Sequence, residues 1–248
     1  MATTLAALFG VLVGSFLLGS IPWGVIISRC FYHKDVREVG SGNIGTTNAM
    51  RAMGKVGGSA VFVLDFGKGV VSGLAALALA RALVAWDPEG CTAFVALMLG
   101  DAQQAQAAAT TAASNNYLVM LFTSAAFLGC ILGHVFSPWL GFKGGKGIAV
   151  AAGCLMATFG PVGGLLEIAV FAVVVAATRY VSAGSIAAAA VCPLFALYYC
   201  WDNVPAWACC AMGAVVVVWA HRGNIGRLRA GCERRIGSSK GEKEGEDA

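Results

Sequence analysis

Three stretches of this chain carry residue types that can hold a phosphate. The first is Gly133-His134-Val135-Phe136-Ser137-Pro138-Trp139-Leu140-Gly141-Phe142 followed by Lys143, Gly144, Gly145, Lys146 and Gly147. An apolar run reaches a histidine, breaks at a proline and continues into two lysines set among glycines. Glycines let the backbone take positive φ and let a ligand approach closely. Free backbone N–H groups in such a loop, with lysines beside them, suit an anion. The second stretch is Ser41, Gly42, Asn43, Ile44, Gly45, Thr46, Thr47 and Asn48, with Arg51 just beyond. Small and amide-bearing residues favour turns and a capped helix N-terminus. An arginine one to two turns on suits a phosphate, and a solvated loop fits the same composition. The third stretch is His221-Arg222-Gly223-Asn224-Ile225-Gly226-Arg227, with Glu233 further on. A topology signal touching anionic lipid explains its bases but not its His, Asn and Glu.

Other chemistry is limited. Asp65 and Lys68 stand three apart and share a helix face. At membrane depth such a pair is either functional or a neutralised structural pair. Glu167 has no partner near it in sequence. No Walker A loop and no G-x-S-x-G elbow is present. None of the three histidines has an Asp five positions on, and none has metal-ligand spacing, so no metal site is expected. Nine cysteines, mostly inside apolar runs and without C-x-x-C spacing, read as small buried hydrophobes.

The elements that must position these groups are membrane helices. The 248 residues are 58% hydrophobic and only 12% charged, against about 25% charged in soluble domains. At least five runs approach the ~17–25 residues that cross a bilayer. The first 20 residues hold no Lys or Arg, so they read as a first span and not as a signal peptide. Of 17 Lys and Arg, most fall in 29–55, in the 143–146 loop and after 220. The positive-inside rule puts these three regions on the cytoplasmic side. The acidic turns at 86–90 and 201–205 read as the opposite face. Residues 147–178 must then begin and end inside, which two shorter helices meeting at Gly160-Pro161 satisfy. The expectation is an all-α integral membrane protein of about seven transmembrane helices, N-terminus outside and C-terminus cytoplasmic. Residues 1–237 form one membrane domain, 91–116 are an unusual outside insertion, and 238–248 are a disordered charged tail.

The three stretches, taken with Arg37-Glu38-Val39-Gly40 ahead of Ser41 and Leu228, Gly231 and Glu233 after Arg227, resemble the bacterial acyl-phosphate:glycerol-3-phosphate acyltransferases, the PlsY family. Gly19-Ser20-Ile21-Pro22 and Asp65-x-x-Lys68-Gly69 are also similar to that family. Thr46, Val150, the extra Ser137 and the 91–116 tract depart from its pattern. The resemblance implies acyl transfer from a fatty acyl phosphate to the 1-hydroxyl of sn-glycerol 3-phosphate. The products are lysophosphatidic acid and phosphate, an early step of phospholipid synthesis in the bacterial inner membrane, with the site facing the cytoplasm. It implies no cofactor and no nucleic acid. Partners are membrane lipids and a soluble enzyme that makes acyl phosphate. Catalytic roles fall on His221, Asn224, Ser41 and Arg51. Binding roles fall on Gly42, Asn43, Asn48, Lys68, Lys143, Gly144, Gly145, Lys146, Gly147, Arg227 and Glu233. Either His221 or a substrate phosphate can take the hydroxyl proton. The competing class is a membrane carrier for a phosphorylated solute, which would place its site at the bilayer midplane between repeats.

Overall fold

The computed structural model describes residues 1–100 and 111–237, and the described residues form helices joined by short turns. In chain order they are α1 Ala2–Ser20, α2 Trp23–Tyr32, α3 Thr46–Trp86, α4 Pro88–Leu99, α5 Thr111–Val135, α6 Ile148–Thr158, α7 Gly160–Thr178, α8 Val181–Tyr199, α9 Val204–Ala220 and α10 Arg222–Arg229. Five helical spans are long and apolar enough to cross a membrane: Ala2–Tyr32, Thr46–Trp86, Asn115–Leu140, Gly160–Thr178 and Val181–Tyr199. A sixth forms if α9 and α10, bent by 54°, count together. The expected break at Gly160-Pro161 is present: Gly160 takes φ 71° and Pro161 opens α7. However, α6 has 11 residues, a rise of about 16 Å, roughly half a bilayer core.

The break in the first span has a clear cause. Pro22 cannot donate a backbone hydrogen bond, so α1 ends and α2 restarts at Trp23. Two carbonyls freed there are satisfied from elsewhere in the chain, one from the turn after α5 and one from α3. Ser137 Oγ donates to Ser20 O at 2.7 Å, and Lys68 Nζ donates to Ile21 O at 2.9 Å. A second break lies inside α3, where Gly54 leaves the helical region at φ 75°. Arg51 therefore sits on a short leading segment, and Asp65 and Lys68 sit on the long one.

Helix α5 is the hub. It packs on α1, α3, α4, α6 and α9, and most of it is buried. Backbone-to-backbone contact brings α1 this close: a Cβ on Gly133 would collide with Phe16 O. The same device joins α3 to α6, where a Cβ on Gly153 would collide with Phe66 O. Small residues are the usual means of close helix packing in lipid, where hydrophobicity does not drive helices together.

Over its first part the 91–116 tract is helical and packed. Residues 91–99 belong to α4, whose Cys91, Phe94 and Val95 are fully buried against Leu118, Phe122 and Ala126 of α5. A run too short to span can still pack as a buried helix, and length alone does not show it. The end of the tract runs into α5 at Thr111. Residues 101–110 and the charged tail 238–248 lie outside the described residues. Six of the nine cysteines are buried and none is paired with another among the described residues.

Candidate active site

The first wall is the 33–45 turn. Asp35 accepts from Arg29 Nη2 at 2.8 Å and from Arg37 Nη2 at 2.7 Å, and its Oδ1 accepts the Arg37 N–H at 3.0 Å. The bond from the Arg37 side chain, against the cost of burial, holds the Asp35 carboxyl well below the usual carboxylate range. The turn then folds around Asn48. Its Oδ1 accepts the Ser41 N–H at 2.9 Å, and its Nδ2 donates to Val36 O at 2.8 Å. Both ends of this buried amide are engaged inside the protein, so Asn48 holds the loop and does not face a ligand. Asn43 Oδ1 accepts the Gly45 N–H at 2.9 Å and closes a turn just before α3. Gly40 and Gly42 take φ 63° and 68°. The Arg51 side chain lies along Gly40.

The second wall contains the Gly/Lys loop, and its glycines do something other than cradle an anion. Gly144 N–H donates to Val135 O at 2.9 Å, and Gly145 N–H donates to His134 O at 3.0 Å. They cap the end of α5. A Cβ on Gly144 would collide with His134 O, and one on Gly145 with His134 Nε2. The glycines are there for close packing, and their N–H groups are already engaged. Gly147 takes φ 83° and starts α6. Only Lys146 from this stretch reaches the pocket; Lys143 is exposed and lies outside its lining.

The third wall is α10 and the segment after it. Glu233 collects three donors: Asn224 Nδ2 at 2.7 Å and Ser182 Oγ at 2.9 Å on Oε1, and Arg227 Nε at 2.6 Å on Oε2. Burial alone would raise this carboxyl, but the bonds from Asn224, Arg227 and Ser182 together bring it below its ordinary value. His221 lies at the corner between α9 and α10, just beyond the span, and is 2% exposed. Its Nδ1 is 2.8 Å from Val217 O, a group that can only accept, so Nδ1 carries the proton and Nε2 is the free acceptor. Burial, and after it Lys146, pushes the ring down to about 4. It stands behind the pocket wall and not in it.

These walls enclose a cavity of about 300 Å³ lined by Ser41, Gly42, Asn43, Lys146, Asn224 and Arg227, together with Ala220, Arg222 and Gly223. That is the low end of ligand pockets, sized for a small polar molecule. Lys146 makes no hydrogen bond or ion pair among the described residues. Burial first, then the nearby Arg227 and Arg51, lowers it to about 8. Lys146, Arg222 and Arg227 in the lining, with Arg51 and Glu233 nearby, give the pocket a positive charge that a phosphate would neutralise.

Lys68, expected at a phosphate, is elsewhere. It is buried, with its Nζ 2.9 Å from Asp65 Oδ1, 2.9 Å from Ile21 O and 3.0 Å from His134 Nδ1. Its charge is paired with Asp65 and its ammonium meets two further acceptors in the helix interior, away from the pocket lining. Ser182 escaped sequence reasoning: a single hydroxyl 51 residues from its partner carries no local pattern.

The chain's relatives agree with this picture. Residues 9–231 match the family model described as glycerol-3-phosphate acyltransferase. A glycerol-3-phosphate acyltransferase of Anaeromyxobacter sp. (strain Fw109-5) is 36% identical over 237 residues, covering 95% of this chain and 99% of that one. The corresponding protein of Gloeobacter violaceus is 36% identical over 229 residues, covering 92% and 94%. Among solved structures, PlsY, an integral membrane glycerol 3-phosphate acyltransferase, matches in its glycerol 3-phosphate form. The TM-score is 0.69 at 32% identity, covering 94% of this chain and 96% of that one. Its lysophosphatidic acid form matches with a TM-score of 0.66 at 31% identity and the same coverage. A match over nearly the whole chain at this identity makes it a membrane-embedded acyltransferase of the glycerol-3-phosphate acyltransferase family.

Proposed function

We propose that this acyltransferase moves a fatty acyl group from acyl phosphate to the 1-hydroxyl of sn-glycerol 3-phosphate, giving lysophosphatidic acid and inorganic phosphate. The hydroxyl oxygen attacks the acyl carbon, the bond from that carbon to the phosphate oxygen breaks, and phosphate leaves with the electron pair. An acyl phosphate already has a good leaving group, so no covalent enzyme intermediate is needed. The observation that carries the reading is the small cationic pocket where Ser41, Gly42 and Asn43 meet Lys146, Asn224 and Arg227. Lys146, Arg51 and Arg227 hold phosphate and stabilise charge developing on the leaving group. Ser41, Asn43 and Asn224 supply neutral donors. With His221 behind the wall, the leaving phosphate is the better placed acceptor of the hydroxyl proton, and His221 orients the α9–α10 corner.

The pocket is built from turns and helix ends. That speaks against the carrier reading, which needs a site at mid-membrane between repeats. The Lys and Arg clusters around the pocket favour a cytoplasmic site in a bacterial inner membrane, with the C-terminus inside, the N-terminus outside and a soluble source of acyl phosphate. Reporter fusions at the two ends check that orientation; a C-terminal periplasmic reporter that is active would overturn it. The reaction is tested by phosphate release from purified protein given acyl phosphate and glycerol 3-phosphate. Turnover is expected with acyl phosphate and not with acyl-CoA. No release from acyl phosphate sinks the proposal.

A further inference from the structure

The turn between α7 and α8 and the start of α8 contact the segment that carries Glu233, although they belong to none of the three walls. Arg179 and Ile236 exchange two bonds: Ile236 N–H donates to Arg179 O at 2.8 Å, and Arg179 Nη2 donates to Ile236 O at 2.7 Å. Next to them, Arg235 Nε donates to the Tyr180 hydroxyl at 3.0 Å, and its guanidinium lies 5.2 Å over the Tyr180 ring. Next again, Ser182 Oγ donates to Glu233 Oε1 at 2.9 Å. The pairs 179–236, 180–235 and 182–233 run in opposite directions along the two segments, as in an antiparallel ladder. These contacts hold the segment that carries Glu233 against the start of α8. Glu233 in turn fixes Asn224 and Arg227, which line the pocket.

We infer that Ser182, backed by the Arg179–Tyr180 turn, is a positioning residue for the phosphate wall: it completes the donor set of Glu233, so that Asn224 and Arg227 present their remaining donors to a substrate phosphate. The inference rests on the acyltransferase reading of the pocket. The reason is one of competition. Among the described residues Glu233 is the carboxylate that stands near Lys146, Arg51 and Arg227, and an unsatisfied carboxylate would turn toward them and compete with phosphate. Ser182 is 5% exposed, and its hydroxyl and Asn224 Nδ2 both donate to Oε1 while Arg227 Nε donates to Oε2. With both occupied, the carboxylate is locked in place.

The test compares Ser182→Ala, Ser182→Thr and Glu233→Ala with the wild type in the acyl phosphate assay, and by calorimetric titration with inorganic phosphate. Ser182→Ala is expected to raise KM for glycerol 3-phosphate and lower kcat/KM by about tenfold, the scale of one hydrogen bond to a charged group. Ser182→Thr, which keeps the hydroxyl, should recover to within about twofold. In a Glu233→Ala background, Ser182→Ala should cost nothing further, since the two act as one unit. The acid limb of kcat/KM should also move to higher pH in Ser182→Ala, because Glu233 loses a donor to its charged form. Wild-type behaviour of Ser182→Ala overturns the inference. So does a loss that is fully additive with Glu233→Ala, which would mark Ser182 as a packing residue only. If Ser182→Ala does not fold, Ser182→Cys, with a similar shape and a weaker donor, takes its place in the same cycle. If wild-type protein releases no phosphate, the proposed reaction fails by itself; the phosphate titration then decides the Ser182 inference, weaker binding in Ser182→Ala supporting it and equal binding ending it.

Discussion

Two lysines in this protein each sit near a histidine and a carboxylate, and their surroundings differ in one respect. Around Lys68 the ammonium is taken up by its neighbours: it pairs with the buried Asp65, donates to the Ile21 carbonyl and lies against the buried His134. Around Lys146 the nearby carboxylate, Glu233, is already held by Asn224, Arg227 and Ser182, and the lysine has no partner among the described residues. The first arrangement ties α3 to the broken α1–α2 span and to the end of α5. The second leaves a charge free for a ligand. Residue type does not separate a structural lysine from one open to a ligand; the number of donors left over does.

The sharpest way to break the comparison is to remove each charge. Lys68→Met leaves Asp65 buried without its partner and the Ile21 carbonyl without a donor. Loss of one partner of a buried pair costs about 3–5 kcal/mol. The thermal midpoint in detergent should fall strongly, and Asp65→Asn added to Lys68→Met should recover part of it. KM for glycerol 3-phosphate of the protein that remains folded should be nearly unchanged. Lys146→Ala should show the reverse: an unchanged midpoint and a fall in kcat/KM of about 100-fold, the scale of a charge-assisted phosphate contact. A Lys68 variant that is stable but inactive would move Lys68 into the binding machinery and dissolve the contrast.

Much of this was readable from residue order. Apolar runs announce spans because the bilayer sets a length, and Gly160-Pro161 announces a break because proline cannot continue the ladder. The positive-inside rule groups the three polar stretches on one expected side, and parts of all three line one pocket in the structure. What was not legible depends on which neighbour claims each donor. Gly144 and Gly145 look like an anion loop until their N–H groups are found on Val135 and His134. Asn48 looks like a ligand amide until both its ends are found on Val36 and Ser41. Helix α4 was hidden because its 12 residues fall below any spanning length while its buried face is set by α5. Ser182 was hidden because the antiparallel register that brings it to Glu233 exists only in three dimensions.

A milder test of Lys146 uses pH. Its value of about 8 means the free enzyme carries the charge below that pH and loses it above. Phosphate binds the protonated form, so kcat/KM should fall above pH 8, approaching tenfold per unit. Lys146→Arg should flatten that limb, because a guanidinium stays charged. Folding stability should move the other way: between about 8 and the ordinary lysine value the unfolded chain holds more protons, so this group's contribution rises with pH. A wild-type profile flat from pH 7.5 to 9.5 would show that Lys146 does not control binding.

The smallest effect is expected at the histidine nearest the pocket. His221 uses its Nδ1 proton on the Val217 carbonyl and stays out of the lining. Held near 4 by burial, it is neutral at pH 7, so its charge cannot be what holds phosphate there. Gln at this position can still donate to Val217 from a side chain of similar reach. His221→Gln should therefore keep kcat within about tenfold of the wild type, with no change in the pH profile between 6 and 9. A general base contributes ~10²–10⁴-fold, so a loss of that size in folded protein would place Nε2 at the hydroxyl proton. It would also require the α9–α10 corner to shift on substrate binding, since the ring is only 2% exposed and lies outside the lining. The two outcomes thus assign the proton either to the substrate's own phosphate or to a histidine that must first be uncovered.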